Sequence, residues 1–315
     1  MKTVSTEQRN RRSLGLDRKS TLEILRALNR EDALVARAVR RELPTIARAV
    51  EAIVKSLRQG RNLYYVGAGS SGRLAVLDAA ECPPTFGTPP QKVRAVIAGG
   101  AKAFRHAVEA AEDSSSCGAR DLRRAGASSR DVVVGLSASG ATPYVLGALA
   151  FAERIGAVTI GVTSNQGSPL THRAQIVIVP HTGPEAIVGS TRLKAGTAQK
   201  LVLNLLSSAA MVRLGRVYDN WMVYMALTNR KLWQRALRIL EQAAGVSPRA
   251  AEHALRQSGH NLPAALVMLK TGASARQALR WLSKNGGNVR QTLETAGKDN
   301  GLAGDSSADA KGRNG

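Results

Sequence analysis

Two stretches of the sequence combine glycines with serine or threonine hydroxyls directly after an apolar run. The first loop, residues 67–73, reads GAGSSGR, and the second loop, residues 137–142, reads SASGAT. Glycines let a backbone turn tightly and approach a ligand, and free N–H groups at the start of the following helix suit a phosphate. The hydroxyls add neutral hydrogen-bond donors. Five side chains are therefore candidate ligands for a phosphorylated small molecule: Ser70, Ser71, Ser137, Ser139 and Thr142.

A lone glutamate, Glu81, follows the first loop after an apolar segment that we predict to be a short helix over Leu74–Ala80. The partial negative charge at a helix C-terminus opposes a further carboxylate there, and the Pro83–Pro84 pair predicts an extended exit. A carboxyl group in that setting suits the work of a general acid. A solvated glutamate at a helix end is the alternative for this position taken alone.

A second acidic group lies in the segment HAVEAAED. The spacing of His106, Glu109 and Glu112 predicts one face of a helix that ends near Asp113. Two carboxyl groups in different environments can do acid–base work on one substrate, although a solvated acidic helix end is the alternative reading. The remaining histidines show no ligand spacing, so we predict no metal site.

The first loop also fits the G-x-G-x-x-G spacing of dinucleotide-binding folds. Those folds place an acidic residue at the end of the next strand. The next apolar run, VRAVIAGG, ends without one. Nicotinamide binding is therefore not favoured. We predict no cofactor.

Five short apolar runs alternate with helical stretches after Asn62: LYYVG, VRAVIAG, DVVVGLS, AVTIGVT and AQIVIVP. Such runs are typical of parallel strands buried on both faces. The fold class predicted is α/β, with a doubly wound, mostly parallel, five-stranded sheet. In these sheets ligands bind outside the carboxyl ends of the strands, where both loops lie.

The chain divides into four predicted segments. Residues 1–52 form helices that pack on the core, residues 53–216 form the sheet domain, and residues 217–297 form a small helical module. Residues 251–269 and 275–293 resemble each other weakly in sequence. This internal repeat gives the module a resemblance to ubiquitin-associated folds, and ordinary amphipathic helices are the alternative. The Gly-, Ser-, Asp- and Ala-rich tail, residues 298–315, is predicted to be disordered.

The composition is strongly basic, with 45 Lys and Arg against 23 Asp and Glu among 315 residues. Because this excess is spread along the chain and aromatic residues make up only 3%, specific nucleic-acid binding is not favoured. No apolar run approaches the ~20 residues of a membrane span. Two isolated cysteines, Cys82 and Cys117, fit a reducing cytoplasm.

Four longer segments resemble one protein family, the N-acetylmuramic acid 6-phosphate etherases, which have the sugar isomerase (SIS) fold. They read YVGAGSSGRLAVLDAAECPPTFG, HAVEAAEDS, GLSASGATPYV and GSTRLKAGTAQKLVLNLLS. The resemblance begins near TEQRN and covers nearly everything except the tail. It implies a homodimer without a metal that cleaves the lactyl ether of N-acetylmuramic acid 6-phosphate, releasing D-lactate during peptidoglycan recycling.

The resemblance also implies a catalytic pair, because the two glutamates of the family fall on Glu81 and Glu112. Glu81 is our choice for the acid that protonates the leaving lactate, and Glu112 for the base at C2, although the two roles could be exchanged. Arg192 and Lys194 are candidates for contacts to the lactyl carboxylate or the phosphate.

The sequence departs from the family at two positions and leaves other readings open. Ala141 stands where the family often carries arginine, and Tyr224 replaces a common acidic residue. A non-catalytic, sugar-phosphate-sensing SIS regulator is the main alternative function, and a sugar-phosphate isomerase is another. The presence of both glutamates favours the enzyme.

Overall fold

The predicted five-stranded sheet is confirmed, and all of its strands are parallel. The structure is a computed structural model that describes residues 5–106 and 108–305. The strands lie in the order β2-β1-β3-β4-β5, with the bounds β1 Leu63–Gly67, β2 Val93–Ile97, β3 Val132–Leu136, β4 Val158–Val162 and β5 Ile176–Ile178. Every residue of β1 and β3 is buried, which explains their uninterrupted apolar sequences.

The strand order reverses between β1 and β3, the place where open α/β sheets form a ligand crevice. Gly67 at the end of β1 pairs with Leu136 at the end of β3. The first and second loops therefore leave the same edge of the sheet, as predicted, and the structure shows that they do so from adjacent strands.

Among the described residues, nine α-helices belong wholly or largely to the part of the chain that carries the sheet. Pro44 lies in the first turn of α3, which follows α2 closely. The bounds are α1 Thr21–Asp32, α2 Val35–Arg41, α3 Leu43–Arg58, α4 Gly69–Phe86, α5 Lys102–Arg105, α6 Ser115–Arg124, α7 Pro143–Arg154, α8 Pro169–Arg173 and α9 Lys194–Arg213. One-turn 3₁₀ helices cover Ser5–Glu7, Arg11–Ser13, Leu16–Arg18 and Glu109–Glu112.

The chain forms two compact units. The first comprises Met1–Cys82 and Thr88–Ala210, so the N-terminal helices belong with the sheet; the second comprises Pro83–Gly87 and the chain from Met211 onward. Among the residues described, no helix has the length and apolar character needed to cross a membrane.

The second unit contains the predicted C-terminal helices, α10 Arg230–Ala244, α11 Pro248–Gln257, α12 Leu262–Thr271, α13 Ala275–Lys284 and α14 Val289–Asp305. Turns with positive φ at Gly259–His260 and Gly286–Gly287 separate the two helices within residues 251–269 and within residues 275–293. The resemblance to ubiquitin-associated folds stays a prediction. Residues 298–305 are helical although we expected a disordered tail from residue 298, and residues 306–315 lie outside the described residues.

Candidate functional site

Two of the three glycines of the first loop are required for packing. A Cβ atom on Gly72 would lie 2.5 Å from Cγ1 of Ile97 and 2.8 Å from the carbonyl oxygen of Gly67. Gly69 differs, because its φ is +52° and nothing lies within 4 Å of its Cβ position. Gly69 therefore leaves open space at the start of α4, where Ser70 and Ser71 lie half-buried in the first turn.

Glu81 does not lie at a helix end, so that prediction is wrong. Helix α4 continues through Pro83 and Pro84 to Phe86 and ends at Gly87, whose N–H donates to the Pro83 carbonyl at 2.9 Å. The prolines remove individual N–H donors, and the helix nevertheless persists. Because macrodipole effects fade beyond the last turn, the helix-end reason for choosing Glu81 as the acid no longer holds. Its side chain is exposed.

The second loop brings its three predicted hydroxyls together. Ser137 Oγ shares hydrogen bonds with Thr142 Oγ1 at 2.8 Å and with Ser139 Oγ at 3.3 Å, and it accepts the N–H of Gly140 at 3.0 Å. Thr142 is the N-cap residue of α7 and Pro143 its first residue. Ser137 is buried and organises the loop, whereas Ser139 and Thr142 are half-buried.

Asn165, which the sequence analysis missed, holds the second loop in place by a hydrogen bond. Asn165 follows β4, and its Nδ2 donates to the carbonyl of Ala138 at 2.8 Å. Its Oδ1 accepts both the backbone N–H of Ser5, at 2.9 Å, and the Ser5 hydroxyl, at 2.6 Å. The N-terminal segment is thus hydrogen-bonded to the residue that holds the second loop.

The predicted helix through His106, Glu109 and Glu112 is also wrong. Helix α5 ends at Arg105, and His106 has extended backbone before the separate 3₁₀ turn Glu109–Glu112. The Arg73 guanidinium accounts for the break, because it donates to the carbonyls of residues 103, 104 and 106 at 3.0–3.2 Å. A continuing helix would use such carbonyls for its own N–H groups.

Arg73 lies at both cavities next to the first loop. The smaller cavity, about 150 Å³, is also lined by Gly69, Val108 and Glu112, whose side chain is exposed. The larger, about 590 Å³, is lined by Ser70 and Arg192, together with Leu74, Leu77, Phe104, Gly196, Thr197, Lys200 and Leu201. Arg73 was not among the candidates, and its position one turn into the helix after the glycine loop was the available signal.

Lys194 differs from the other candidate ligands because its ammonium group is paired with Glu31. The buried Lys194 ammonium contacts the buried Glu31 carboxylate at 2.6 Å, and Glu31 also accepts from Asn10 and Arg12, both at 2.7 Å. Burial opposes ionisation of Glu31, but these hydrogen bonds and charges outweigh it and lower its pKa. The structure thus pairs Lys194 with Glu31, whereas Arg192 is exposed and lines the Ser70 cavity.

The buried carboxyl group of Asp78 links the inner face of α4 to α9 by a hydrogen bond. Asp78 Oδ1 accepts the Ser207 hydroxyl of α9 at 3.1 Å, and burial raises the pKa of Asp78. Burial likewise raises the pKa of the neighbouring Cys82 thiol to about 12, which makes it a poor nucleophile. No cluster of three or more potential metal-binding side chains occurs among the described residues.

Comparison with known proteins assigns the family. A model of the glucokinase regulatory protein N-terminal SIS domain matches residues 45–153, and the SIS domain model matches residues 114–209. The N-acetylmuramic acid 6-phosphate etherase of Halalkalibacterium halodurans is 48% identical over 290 residues, which is 92% of this chain and 97% of the relative. The chain belongs to the N-acetylmuramic acid 6-phosphate etherase family. The etherase of Yersinia pestis (strain Pestoides F) is 51% identical over 91% of this chain and 98% of its own.

The likeness of this etherase-family chain to solved structures is more distant. A phosphoheptose isomerase from Francisella tularensis is 17% identical, with a TM-score of 0.44, and covers 62% of this chain and 100% of that one. The family assignment rests on the two sequence relatives.

Proposed function

We propose that this protein cleaves the D-lactyl ether of N-acetylmuramic acid 6-phosphate, giving N-acetylglucosamine 6-phosphate and D-lactate in cell-wall sugar recycling. The observation that carries the proposal is about 50% identity to etherases over nine tenths of the chain. Two hydroxyl-bearing loops at adjacent strand ends support a phosphorylated substrate. We further propose that it is a carbon–oxygen lyase and a cytoplasmic homodimer that needs no cofactor.

The chemistry begins with the ring-opened sugar, whose C2 proton is acidic because it lies next to an aldehyde. A carboxylate removes this proton, and the resulting enolate expels the C3 ether oxygen. A protonated carboxyl group gives its proton to that oxygen, so that lactate leaves with the ether oxygen. Water then adds its oxygen to C3 of the double bond and a proton returns to C2. The net reaction consumes one water molecule, and both carboxyl groups return to their starting states.

We propose that Glu112 is the base and Glu81 the acid. The position of Glu112 supports the first assignment, because it lines a cavity with Gly69 and Arg73 at the start of α4. We propose Ser70, Ser71, Ser137, Ser139 and Thr142 as ligands of the phosphate and sugar hydroxyls, and Arg192 for the lactyl carboxylate or the phosphate. For Lys194 we propose an anchoring role, given its contact with Glu31.

The test is D-lactate release from N-acetylmuramic acid 6-phosphate by the wild-type protein and two variants. Glu81→Gln and Glu112→Gln should each lower turnover by about 10²–10⁴-fold, the usual contribution of a general acid or base. In deuterated water, Glu81→Gln should still exchange the C2 proton of the substrate, whereas Glu112→Gln should not. Exchange by Glu112→Gln would refute the assignment of the base.

The match to the glucokinase regulatory protein SIS model favours a second candidate function, a non-catalytic sugar-phosphate sensor. Calorimetry of substrate binding, combined with the lactate assay, distinguishes the two functions. A folded protein that binds N-acetylmuramic acid 6-phosphate tightly but releases no lactate is a sensor.

A further inference from the structure

The carbonyl of Ala138 in the second loop accepts three hydrogen bonds from the segment that follows β4. The donors are the backbone N–H of Ser164 at 3.1 Å, Thr163 Oγ1 at 3.2 Å and Asn165 Nδ2 at 2.8 Å. A carbonyl oxygen has two lone pairs, so three donors saturate it. The carbonyl is therefore held in a direction that points toward the side of β4.

This carbonyl sets the direction of the Ser139 N–H, which belongs to the same peptide group. The C=O and N–H bonds of a planar, trans peptide point in opposite directions. Because β3 lies between β1 and β4 in the sheet, a carbonyl that points toward β4 turns the Ser139 N–H toward the side of β1 and the first loop. The Ser139 N–H therefore faces the crevice between the two loops.

The peptide group between Ala138 and Ser139 is hydrogen-bonded on one side only. Its carbonyl is saturated, whereas its N–H has no acceptor among the described residues. Backbone groups are normally paired on both sides, and the donors on the carbonyl polarise the peptide and strengthen its N–H as a donor. An oriented backbone N–H beside a cluster of hydroxyls suits an anion.

Asn165 is 6% exposed, and its side-chain amide has one orientation. Its Oδ1 faces the backbone N–H of Ser5, which can only donate, and its Nδ2 faces the Ala138 carbonyl, which can only accept. The Ser5 hydroxyl donates to the same Oδ1, and Thr6 Oγ1 lies 3.4 Å from Nδ2. All four hydrogen-bonding positions of the amide are thus used, so the amide cannot turn over without losing them.

We propose that Asn165 is a positioning residue for the phosphate of the substrate. It acts through the Ala138 carbonyl and holds the Ser139 N–H where this group donates to a phosphate oxygen, and Ser5 in turn holds Asn165. Asn165 is buried and acts without contacting the ligand. This inference rests on the proposed function for the identity of the sugar phosphate, but it requires only that the ligand binds and not that its ether is cleaved.

The variant Asn165→Asp tests the inference with almost no change in shape. Its carboxylate keeps the hydrogen bonds from Ser5 but places an oxygen against the Ala138 carbonyl, so the peptide turns away. We expect the Kd for N-acetylglucosamine 6-phosphate in calorimetry to rise about 10–100-fold, the loss of one hydrogen bond to a charged group. The kcat for lactate release should stay within about threefold of wild type. A Kd equal to that of wild type in the folded variant overturns the proposal.

A matched control and a second variant accompany this measurement. In the second unit, Asn285 Nδ2 donates to the Trp281 carbonyl at 2.9 Å and to Thr295 Oγ1 at 3.2 Å, so Asn285→Asp creates a similar repulsion and should leave the Kd unchanged. Thr163→Val removes another donor from the Ala138 carbonyl and serves if Asn165→Asp does not fold. It should raise the Kd about fivefold, the loss of a neutral hydrogen bond, and an unchanged Kd overturns the proposal.

Nuclear magnetic resonance observes the Ser139 N–H directly. The chain has three Ala–Ser pairs, 127–128, 138–139 and 273–274, so protein with ¹³C-carbonyl alanine and ¹⁵N serine gives three amide signals in a carbonyl-correlated spectrum. The Ala138→Gly variant identifies the Ser139 signal by losing it, and the other two signals are internal references.

N-acetylglucosamine 6-phosphate should move the Ser139 proton downfield in wild type and much less in Asn165→Asp, and unphosphorylated N-acetylglucosamine should not move it. A Ser139 signal that does not respond to the bound sugar phosphate in wild type, or responds equally in Asn165→Asp, overturns the proposal. The expected response in a wild-type protein that releases no lactate contradicts only the proposed function.

Discussion

Replacement of Glu31 by glutamine tests whether Lys194 anchors the chain or is available to substrate. Glutamine keeps the shape of the side chain but removes the charge that compensates the ammonium. The side chains of Lys194 and Glu31 are 1% and 3% exposed, so neither is solvated by water. Removal of one partner from such a buried pair costs about 3–5 kcal/mol. We expect Glu31→Gln to lower the free energy of unfolding by that amount at pH 7.

Urea unfolding followed by circular dichroism measures this loss, and an exposed pair provides the control. Arg256 and Glu252 lie 2.7 Å apart on α11, with side chains 65% and 44% exposed. Glu252→Gln should therefore change the free energy of unfolding by no more than about 0.5 kcal/mol. A Glu31→Gln effect as small as this would refute the anchoring role.

The effect of Glu31→Gln should also depend on pH. The pKa of Glu31 is lowered in the folded protein, so its ionised form contributes stability at pH values above its unfolded pKa of about 4.3. That contribution is lost as the pH falls through the lower, folded pKa. The difference in stability between wild type and Glu31→Gln should therefore be full at pH 7 and shrink below about pH 4.

Substrate binding distinguishes anchoring from direct contact. The double variant Glu31→Leu/Lys194→Met removes both buried charges, and such replacements are often neutral or stabilising. If Lys194 only anchors the start of α9, this variant should bind N-acetylglucosamine 6-phosphate with a Kd within about threefold of wild type. A rise of about 100-fold, the loss expected for a charged contact to phosphate, would show that Lys194 reaches the ligand.

Two further substitutions test the loops. Gly72→Ala should lower the free energy of unfolding by about 1–3 kcal/mol, because its Cβ would lie 2.5 Å from Ile97 and 2.8 Å from a backbone oxygen. The control Gly297→Ala, which has open space around it in α14, should instead raise the free energy of unfolding by about 0.5–1 kcal/mol. Equal effects of the two substitutions would contradict the packing account. Ala141→Arg adds a cation at the exposed edge of the second loop. It should lower the Kd for the sugar phosphate about fivefold through a charge-assisted hydrogen bond. Weaker binding in calorimetry would indicate that the loop does not face the phosphate.

The sheet was predictable because burial on both faces leaves a continuous apolar signature in each strand. The runs LYYVG and VVVGL became β1 and β3. The adjacency of these two strands, in contrast, is known only from the structure. The first turn of α7 was equally local, because Thr142 and Pro143 each favour the start of a helix. These predictions needed only neighbouring residues.

The features that local sequence did not predict have a different physical origin. The break at His106 depends on Arg73, which binds carbonyls about 30 residues further along the chain. The pairing of Lys194 with Glu31 joins positions 163 residues apart, and no periodicity encodes it. In α4, the Pro83–Pro84 pair favours an earlier end of the helix, whereas the helix ends at Gly87, which has a positive φ of 60°.

Turnover of N-acetylmuramic acid 6-phosphate in ¹⁸O-labelled water tests the central claim most directly. Elimination followed by water addition predicts equal amounts of D-lactate and N-acetylglucosamine 6-phosphate, with one ¹⁸O atom at C3 of the sugar product, besides any exchange of its anomeric oxygen with the water, and none in the lactate. Mass spectrometry of both products reads the result. Lactate that carries the label, or tight sugar-phosphate binding without any lactate, would contradict the account.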